Sequence, residues 1–422
     1  MNVLWFEVTT PQRYKDNGIV YGGWQDSLER VITTCPDINL SISFIGERNN
    51  VGVKRVGNVE YIPMNLDFSL WEKVCNKLTS EIEIAHLMKQ MLKVIEQVQP
   101  DLIQVFGTEW PFGHIAKFTK IPVVVHIMGA MIPYMNAQFP PLFSYRDIWT
   151  SFNFLKPKEC IEGICNHIKE KKVTKHELEI WKHVKFYMGR TKWDYALSNI
   201  LHPNRMYFHV NEALRVSFLS GKDKWKGANN QKILLISTGC SSFWKGPDML
   251  LNVAKILRDL GVNFEWKVDG YMSNILKNAV EKKLKTTFEE NNVRFLGFTK
   301  PDDLTKILCE STMYVHTAYI ENSPNSVCEA QCLGVPIIST NVGGISSLVE
   351  DGKQGILVPA NDPWQMANSI IELSNDKKKM LSFSEENMKC ALIRHNDENI
   401  LKSASNLNGN LNCSKELEHY AS

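Results

Sequence analysis

One feature constrains this chain above all others: from Lys232 onward, short apolar, β-branched runs alternate with amphipathic segments of helical length. That alternation belongs to helices packed on a parallel sheet. The runs are KILLIST (232–238), FEWKV (264–268), VRFLG (293–297), MYVHTA (313–318), PIIST (336–340) and ILVP (356–359). After the first comes PDMLLNVAKILRDLG, which predicts a helix with Pro247 at its first position and Gly261 as its stop. The first half repeats the alternation less regularly. Strands are expected near 2–8, 39–45, 59–63, 101–106 and 121–128, and helices near 23–34, 79–98 and 111–119. Two α/β units follow, with a polar Gly, Lys and Asn-rich run at 220–231 at the junction. The expected domains are 1–215 and 216–395, and the tail 396–422 is expected to fray in part or to return as a helix to the first domain. Open parallel sheets bind ligands beyond the carboxyl ends of their strands, so two facing sheets would hold a substrate between them.

Two stretches break the pattern. Residues 130–155 are aromatic and interrupted by proline, and read as an irregular excursion. Residues 156–192 are rich in Lys and Arg and read as a basic helical surface, either a solvated face or a contact for anionic lipid headgroups.

Composition removes several classes of function. Lys plus Arg number 48 against 46 Asp plus Glu, so no global charge favours nucleic acid as a partner. No run of 18 apolar residues occurs, and MNVLWFEV reads as a strand rather than a leader, so a cytoplasmic protein is expected, with contact at the inner face of a membrane as its only membrane association. The ten cysteines form no C-x-x-C pair, which argues against structural zinc and a disulfide framework. G-x-G-x-x-G after a strand, the G-x-x-x-x-G-K-S/T loop, H-E-x-x-H and G-x-S-x-G are all missing. No D-x-D pair is present to hold a divalent ion, so no metal and no cofactor are expected. Any phosphate must be met by backbone N–H groups, helix ends, Lys and Arg.

The most informative stretch is YIENSPNSVCEAQCLGVPIISTNVGGISSLVEDGKQGILVP, 319–359. Glu321 falls in a loop and Glu329 in the first turns of a helix starting near Asn325, so the spacing brings both carboxylates to one helix N-terminus. Such a terminus offers free N–H donors and about half a positive charge, while a carboxylate accepts paired hydrogen bonds from vicinal hydroxyls. Together they can grip the hydroxyls and the diphosphate of a nucleotide sugar. Helix-capping carboxylates are the plainer alternative.

At this point the sequence resembles the retaining glycosyltransferases of family 4. The resemblance rests on Glu321 and Glu329, Pro324-Asn325, Gly334-Val335-Pro336, Thr340-Asn341-Val342-Gly343-Gly344, Glu350-Asp351-Gly352 and Gly355-Ile356-Leu357-Val358-Pro359. It implies an α/β fold of the GT-B type, two facing Rossmann-like domains with a cleft between them. It implies that Glu329 binds the nucleotide ribose, that Glu321 lies by the transferred sugar, and that Asn322, Ser323 and Asn325 donate to sugar and phosphate. Upstream, STGCSSFWKGPDMLL resembles the family's phosphate clamp: Lys245-Gly246 fits, but Cys240 stands where the family has arginine. Losing one of two phosphate-directed cations weakens leaving-group stabilisation. Arg190, in FYMGRTKWDYA, is the candidate substitute. Gly297-Phe298 occupies a loop where the family's backbone approaches the nucleotide, and Gly22-Gly23 stands where it has a glycine-rich loop near the substrates. Met128 replaces the family's histidine before Gly129. His126, two residues earlier on the same strand face, is the candidate for that role, with a core histidine as the alternative; Glu109 is the nearest acidic group.

The expected activity is retaining, metal-independent hexosyl transfer from a UDP- or GDP-sugar to a saccharide or lipid-linked acceptor, in the setting of cell-surface polysaccharide biosynthesis. Catalysis is expected from Glu321, Lys245 and His126, and binding from Glu329, Asn325, Ser323, Gly297, Phe298, Gly22, Gly23 and Arg190. A nucleotide-sugar epimerase of the same fold and an inactive nucleotide-sugar-binding homologue are the rival readings.

Overall fold

The structure, a computed structural model, describes residues 1–15, 23–46, 52–76, 81–150, 170, 172–220, 224–227 and 232–404. It contains two compact units. The first comprises 1–132, a stretch ending at Ala213 and the chain from His395; the second comprises 214–394 and a segment beginning at Pro133.

In the first unit, β1 (Asn2–Glu7), β2 (Asn39–Ile45), β3 (Lys54–Val56), β4 (Val59–Met64), β5 (Leu102–Phe106), β6 (Val123–His126), β7 (Phe186–Gly189) and β8 (Met206–His209) form one sheet. Their order is β3-β4-β2-β1-β5-β6-β7-β8, parallel throughout except for the β3–β4 pair. Strand geometry explains why β1 is apolar without interruption. Val3 and Trp5 enter the core on one face of the sheet while Leu4 and Phe6 enter the core on the other.

Three expectations need correction here. The region 111–119 is a 3-10 segment, Pro111–Lys117, rather than an α-helix. Within the stretch read as a basic helical surface, 156–169 and 171 lie outside the described residues; 172–183 is helical but buries Glu177, Ile180 and Trp181. Residues 186–189 are a fully buried strand, β7, because Val124 and Met206 flank Phe186 on both sides. In the tail, 397–404 is helical, Ile400 enters the first unit's core and Arg30 holds Asp397 through two hydrogen bonds at 2.5 and 2.9 Å.

The second unit holds β9 (Ile233–Thr238), β10 (Phe264–Asp269), β11 (Val293–Gly297), β12 (Met313–His316), β13 (Ile337–Thr340) and β14 (Gly355–Val358). Their order is β11-β10-β9-β12-β13-β14, all parallel. The order reverses between β9 and β12, and loops leaving a sheet at such a point diverge and leave a crevice. The helix Pro247–Asp259 starts as its sequence predicts, with Gly246 as N-cap in the left-handed region at φ 70° and Pro247 at the first position.

The aromatic excursion is not loose. Although it lies inside the sequence span assigned to the first domain, the chain from Pro133 packs with the second unit. It carries the short helices Met131–Asn136 and Tyr145–Trp149. Phe139 and Phe143 pack against Phe243, with ring centroids 5.5 and 5.2 Å apart, and Tyr134 stacks on Trp244. Lys283 adds an ion pair to Asp147 at 2.9 Å. Among the described residues no helix is long and apolar enough to cross a membrane.

Phe243 is the buried ring on which this packing converges. Phe243→Ala is expected to lower the unfolding free energy of the second unit by about 3 kcal/mol or more. An unshifted midpoint in equilibrium urea denaturation would contradict the packing.

Candidate functional site

The loop after β12 is held between two others by its own backbone. On one side Thr317 Oγ1 donates to the Lys245 carbonyl at 3.1 Å and the Tyr319 N–H donates to the Trp244 carbonyl at 2.7 Å. On the other, the Gly344 N–H donates to the Glu321 carbonyl at 2.9 Å and Thr340 Oγ1 donates to the Ala318 carbonyl at 2.6 Å. Contact is so close that a β-carbon on Gly246 would lie 2.0 Å from the Thr317 carbonyl oxygen, and one on Gly343 would lie 1.8 Å from that of Glu321. Both glycines also have positive φ. Lys245-Gly246, Glu321 and Thr340-to-Gly344 thus meet in space although about 100 residues separate their extremes.

The side chains on this frame are charged and mostly buried. Lys245 Nζ donates to Glu321 Oε1, and His316 Nε2 lies 3.7 Å from the same oxygen. Burial pushes the His316 imidazole down to about 4; Glu321 opposes that shift and Lys245 reinforces it, so the ring is neutral at neutral pH. Pro324 caps the helix Asn325–Leu333 without any side-chain acceptor, and Asn325 Oδ1 is buried with no hydrogen-bond partner. Ser323 is buried beside it. Glu329, on the same helix, accepts from Arg215 Nε and Nη2 at 2.8 Å each. Burial raises the Glu329 carboxyl above its usual range, the Arg215 guanidinium pulls it back and Asp269 pushes it up further. Tyr314 lies within the field of both carboxylates. Its hydroxyl donates to Ser326 Oγ at 2.8 Å and lies 3.0 Å from Thr238 Oγ1, and its phenol is pushed up by burial and by the charges of both Glu321 and Glu329.

The loops after β9, β10 and β11 are also adjacent. The Gly270 N–H donates to the Gly297 carbonyl at 2.8 Å, and a β-carbon on Gly270 would touch the Gly239 nitrogen at 3.4 Å. Phe298 follows Gly297 out of this cluster and is 75% exposed. Cys240 does not face outward. It is buried in the core, where desolvation pushes its thiol up to about 12, so it supplies no charge.

The candidates in the first unit are placed differently. His126 has no exposed surface: it stacks 5.9 Å from Phe106, meets Trp24 edge-on at 4.8 Å and is pushed down to about 3 by burial, with Arg190 adding to the shift. In this structure it is a core histidine. Arg190, expected as a substitute cation, is buried as well; its Nη2 donates to the carbonyls of Ile127 and Met128 at 3.3 Å, and its guanidinium covers the Trp24 ring. The engagement is local because β7 delivers Arg190 beside β6. Gly23 caps the helix Trp24–Ile32, its N–H bonded to Asp26 Oδ2 at 2.9 Å, while Gly22 lies outside the described residues. Glu109 folds back over Gly107, and burial raises it to about 7. Sequence reasoning missed Arg215 and His316. Arg215 lies 114 residues from its partner with no motif around it, and His316 sits in a run read only as a buried strand.

Residues 221–389 match the family model described as Glycosyl transferases, group 1. This unit is a group 1 glycosyl transferase domain. A curated relative, the amylovoran biosynthesis glycosyltransferase AmsK of Erwinia amylovora, is 25% identical to the chain over 161 residues, 36% of this chain and 38% of that protein. The match thus spans well under half the length of that relative. Solved structures align over nearly all of this chain: sucrose-phosphate synthase from Thermosynechococcus elongatus has a TM-score of 0.71 at 13% identity, covering 98% of this chain and 99% of its own. HepE of Anabaena, solved with UDP-glucose, has a TM-score of 0.65 at 14% identity, covering 97% and 100%. The fold is that of the GT-B glycosyltransferases, and the loop carrying Glu321, Asn325 and Glu329 lies within the group 1 domain.

Two outcomes test this geometry. Gly343→Ala combines a left-handed backbone, worth about 1–2 kcal/mol, with a clash against the Glu321 carbonyl; calorimetric melting should show a destabilised second unit. For His126, the folded ring stays neutral to about pH 3 while the unfolded one protonates below about 6.5, so its contribution to stability is lost as pH falls through that window. Relative to wild type, His126→Phe should therefore gain about 2 kcal/mol between pH 7 and pH 5. A pH-independent difference in denaturation free energy would place His126 in contact with solvent.

Proposed function

We propose that the protein transfers a hexosyl group from a nucleoside-diphosphate sugar, UDP- or GDP-linked, to a saccharide or lipid-linked acceptor in cell-surface polysaccharide synthesis, with retention of anomeric configuration and without a bound metal. The observation that carries this reading is the Lys245–Glu321 pair beside a helix N-terminus whose N-cap, Pro324, has no side-chain acceptor for the helix N–H groups. Breaking a glycosidic bond to a diphosphate puts growing negative charge on the leaving phosphate, and an ammonium and free helix N–H groups are the donors that stabilise it.

Each side chain has a role in this reading. Lys245 meets the diphosphate, with the N–H groups at the start of Asn325–Leu333 alongside it. Glu321 accepts hydrogen bonds from the sugar hydroxyls. Glu329 accepts them from the ribose; bidentate Arg215 occupies two of the four lone-pair directions of that carboxylate and leaves two for hydroxyls. Asn325, with its buried Oδ1 unpartnered, and Ser323 are polar groups on the loop that meets sugar and phosphate. Gly297 and Phe298 stand where the base would lie, the exposed ring offering a stacking face. The AmsK relative supports the polysaccharide setting and the HepE complex supports a UDP-sugar donor. Retention rests on the resemblance of the Glu321-to-Glu329 motif, and metal independence on cationic side chains standing where a divalent ion would otherwise be needed.

Binding of UDP and GDP by titration calorimetry tests the reading. Wild type is expected to bind one of them, and Lys245→Met to weaken that binding by about 10- to 100-fold, the worth of a charge-assisted hydrogen bond. Affinity untouched by Lys245→Met would remove the diphosphate role. Nucleotide binding without turnover over a panel of donors and acceptors would favour the inactive-homologue reading, which the neutral, buried Cys240 thiol motivates.

A further inference from the structure

His316 is a buried polar group of the second unit that the preceding reading leaves without a task. It is the last residue of β12, its ring lies parallel to Tyr314 at 6.3 Å, and its side chain is 5% exposed. Its Nε2 is buried with no hydrogen-bond partner, an arrangement folded proteins rarely leave standing. That atom is aimed at one place, 3.7 Å from Glu321 Oε1, the oxygen that Lys245 holds.

Lys245 has two claims on it. In this structure its ammonium neutralises Glu321, a carboxylate whose side chain is only 7% exposed; in the proposed reaction the same ammonium meets a diphosphate. An ammonium drawn towards a doubly or triply charged diphosphate loosens its hold on a single carboxylate. Glu321 would then be a buried anion short of donors, which is costly and lets the side chain turn away from the sugar. An imidazole carrying its proton on Nε2 supplies the missing donor, and closing from 3.7 Å to hydrogen-bond distance takes a movement of under about 1 Å.

We propose that His316 is a positioning residue that takes over Glu321 through an Nε2–H hydrogen bond when Lys245 engages the donor diphosphate, keeping the carboxylate aimed at the sugar hydroxyls. The proposal rests on the assignment of Lys245 and Glu321 to diphosphate and sugar. No proton is transferred: the ring stays neutral and donates a hydrogen bond. The hydrogen bond is called on whenever Lys245 meets a diphosphate, with or without the sugar, and aiming Glu321 at the hydroxyls adds a further contribution for the nucleotide sugar alone.

The test compares UDP with UDP-glucose, and GDP with GDP-mannose, by titration calorimetry on the full chain. The variants are His316→Phe, which keeps an aromatic ring and loses the donor, and His316→Gln, whose amide nitrogen reaches a similar position. In His316→Phe the nucleoside diphosphate should bind somewhat more weakly than to wild type, and the affinity for the nucleotide sugar relative to it should fall by about a further tenfold, as expected for one hydrogen bond to a charged group. His316→Gln should restore most of that ratio. A ratio unchanged in His316→Phe overturns the proposal and leaves the assignment of Lys245 standing. Equal losses in both variants, or equal losses for the diphosphate and the sugar nucleotide, show a packing role and overturn it as well. Wild type that binds none of the four compounds removes the functional reading and this proposal together.

Discussion

The second unit depends on a loop that must fit between two others with no room for a β-carbon on either side. Gly246 and Gly343 are the two points of approach, each against a carbonyl of the loop after β12. That constraint explains why motifs far apart in sequence behave as one device. Lys245 is next to one of these glycines, and Glu321 supplies the carbonyl against which the other packs, so backbone contact alone sets the ammonium and the carboxylate within reach. Side-chain chemistry is then added to a frame already rigid, which is how a site gains precision without spending binding energy on ordering its own loops.

Behind the frame, buried polar groups are arranged in linked pairs. Trp266 Nε1 donates to Ser237 Oγ at 2.9 Å, Ser237 Oγ donates to the Val315 carbonyl at 2.6 Å, and Tyr314 ties β12 to β9 through Thr238 and to the helix through Ser326. Lateral ties of this kind join the two strands that flank the reversal in strand order. Asp248 extends the same logic outward, accepting from the Tyr319 hydroxyl at 2.8 Å while burial raises its carboxyl to about 6. Turn, loop and helix start are therefore cross-linked through side chains as well as backbone.

Much of this was legible in the sequence, and the reasons differ by element. All six strands of the second unit were visible: helices of nine residues or more separate β9 to β13 and punctuate the pattern, and a glycine-bearing loop with the 3-10 turn Ile345–Ser347 separates β13 from β14. β7 and β8 were not, since Phe186–Gly189 and Met206–His209 lie among charged neighbours that dominate any reading of composition. Glu321, Glu329 and Lys245 were legible through local motifs. His126 was legible as a residue but not as to its surroundings, because strand periodicity gives a face and not what covers it; Trp24, from a helix about 100 residues earlier, does the covering. Arg215 carried no signal, as ion pairs between distant segments leave no trace in spacing.

The pairing of charges also limits what can bind well. Both cations that the described residues place at this frame already hold carboxylates: Lys245 holds Glu321 and Arg215 holds Glu329. A ligand bringing only negative charge would compete with those carboxylates for the cations and leave them buried and underdonated, so part of its Coulomb gain is cancelled. A neutral sugar would offer hydroxyls to the remaining lone pairs of carboxylates whose charge is already paired, a smaller gain. A ligand with anionic and hydroxyl groups joined at a fixed spacing avoids both losses, because its phosphates take up donors while its hydroxyls replace them on the carboxylates. Selectivity for the joined molecule over either half then arises from exchange of partners and needs no additional contact surface.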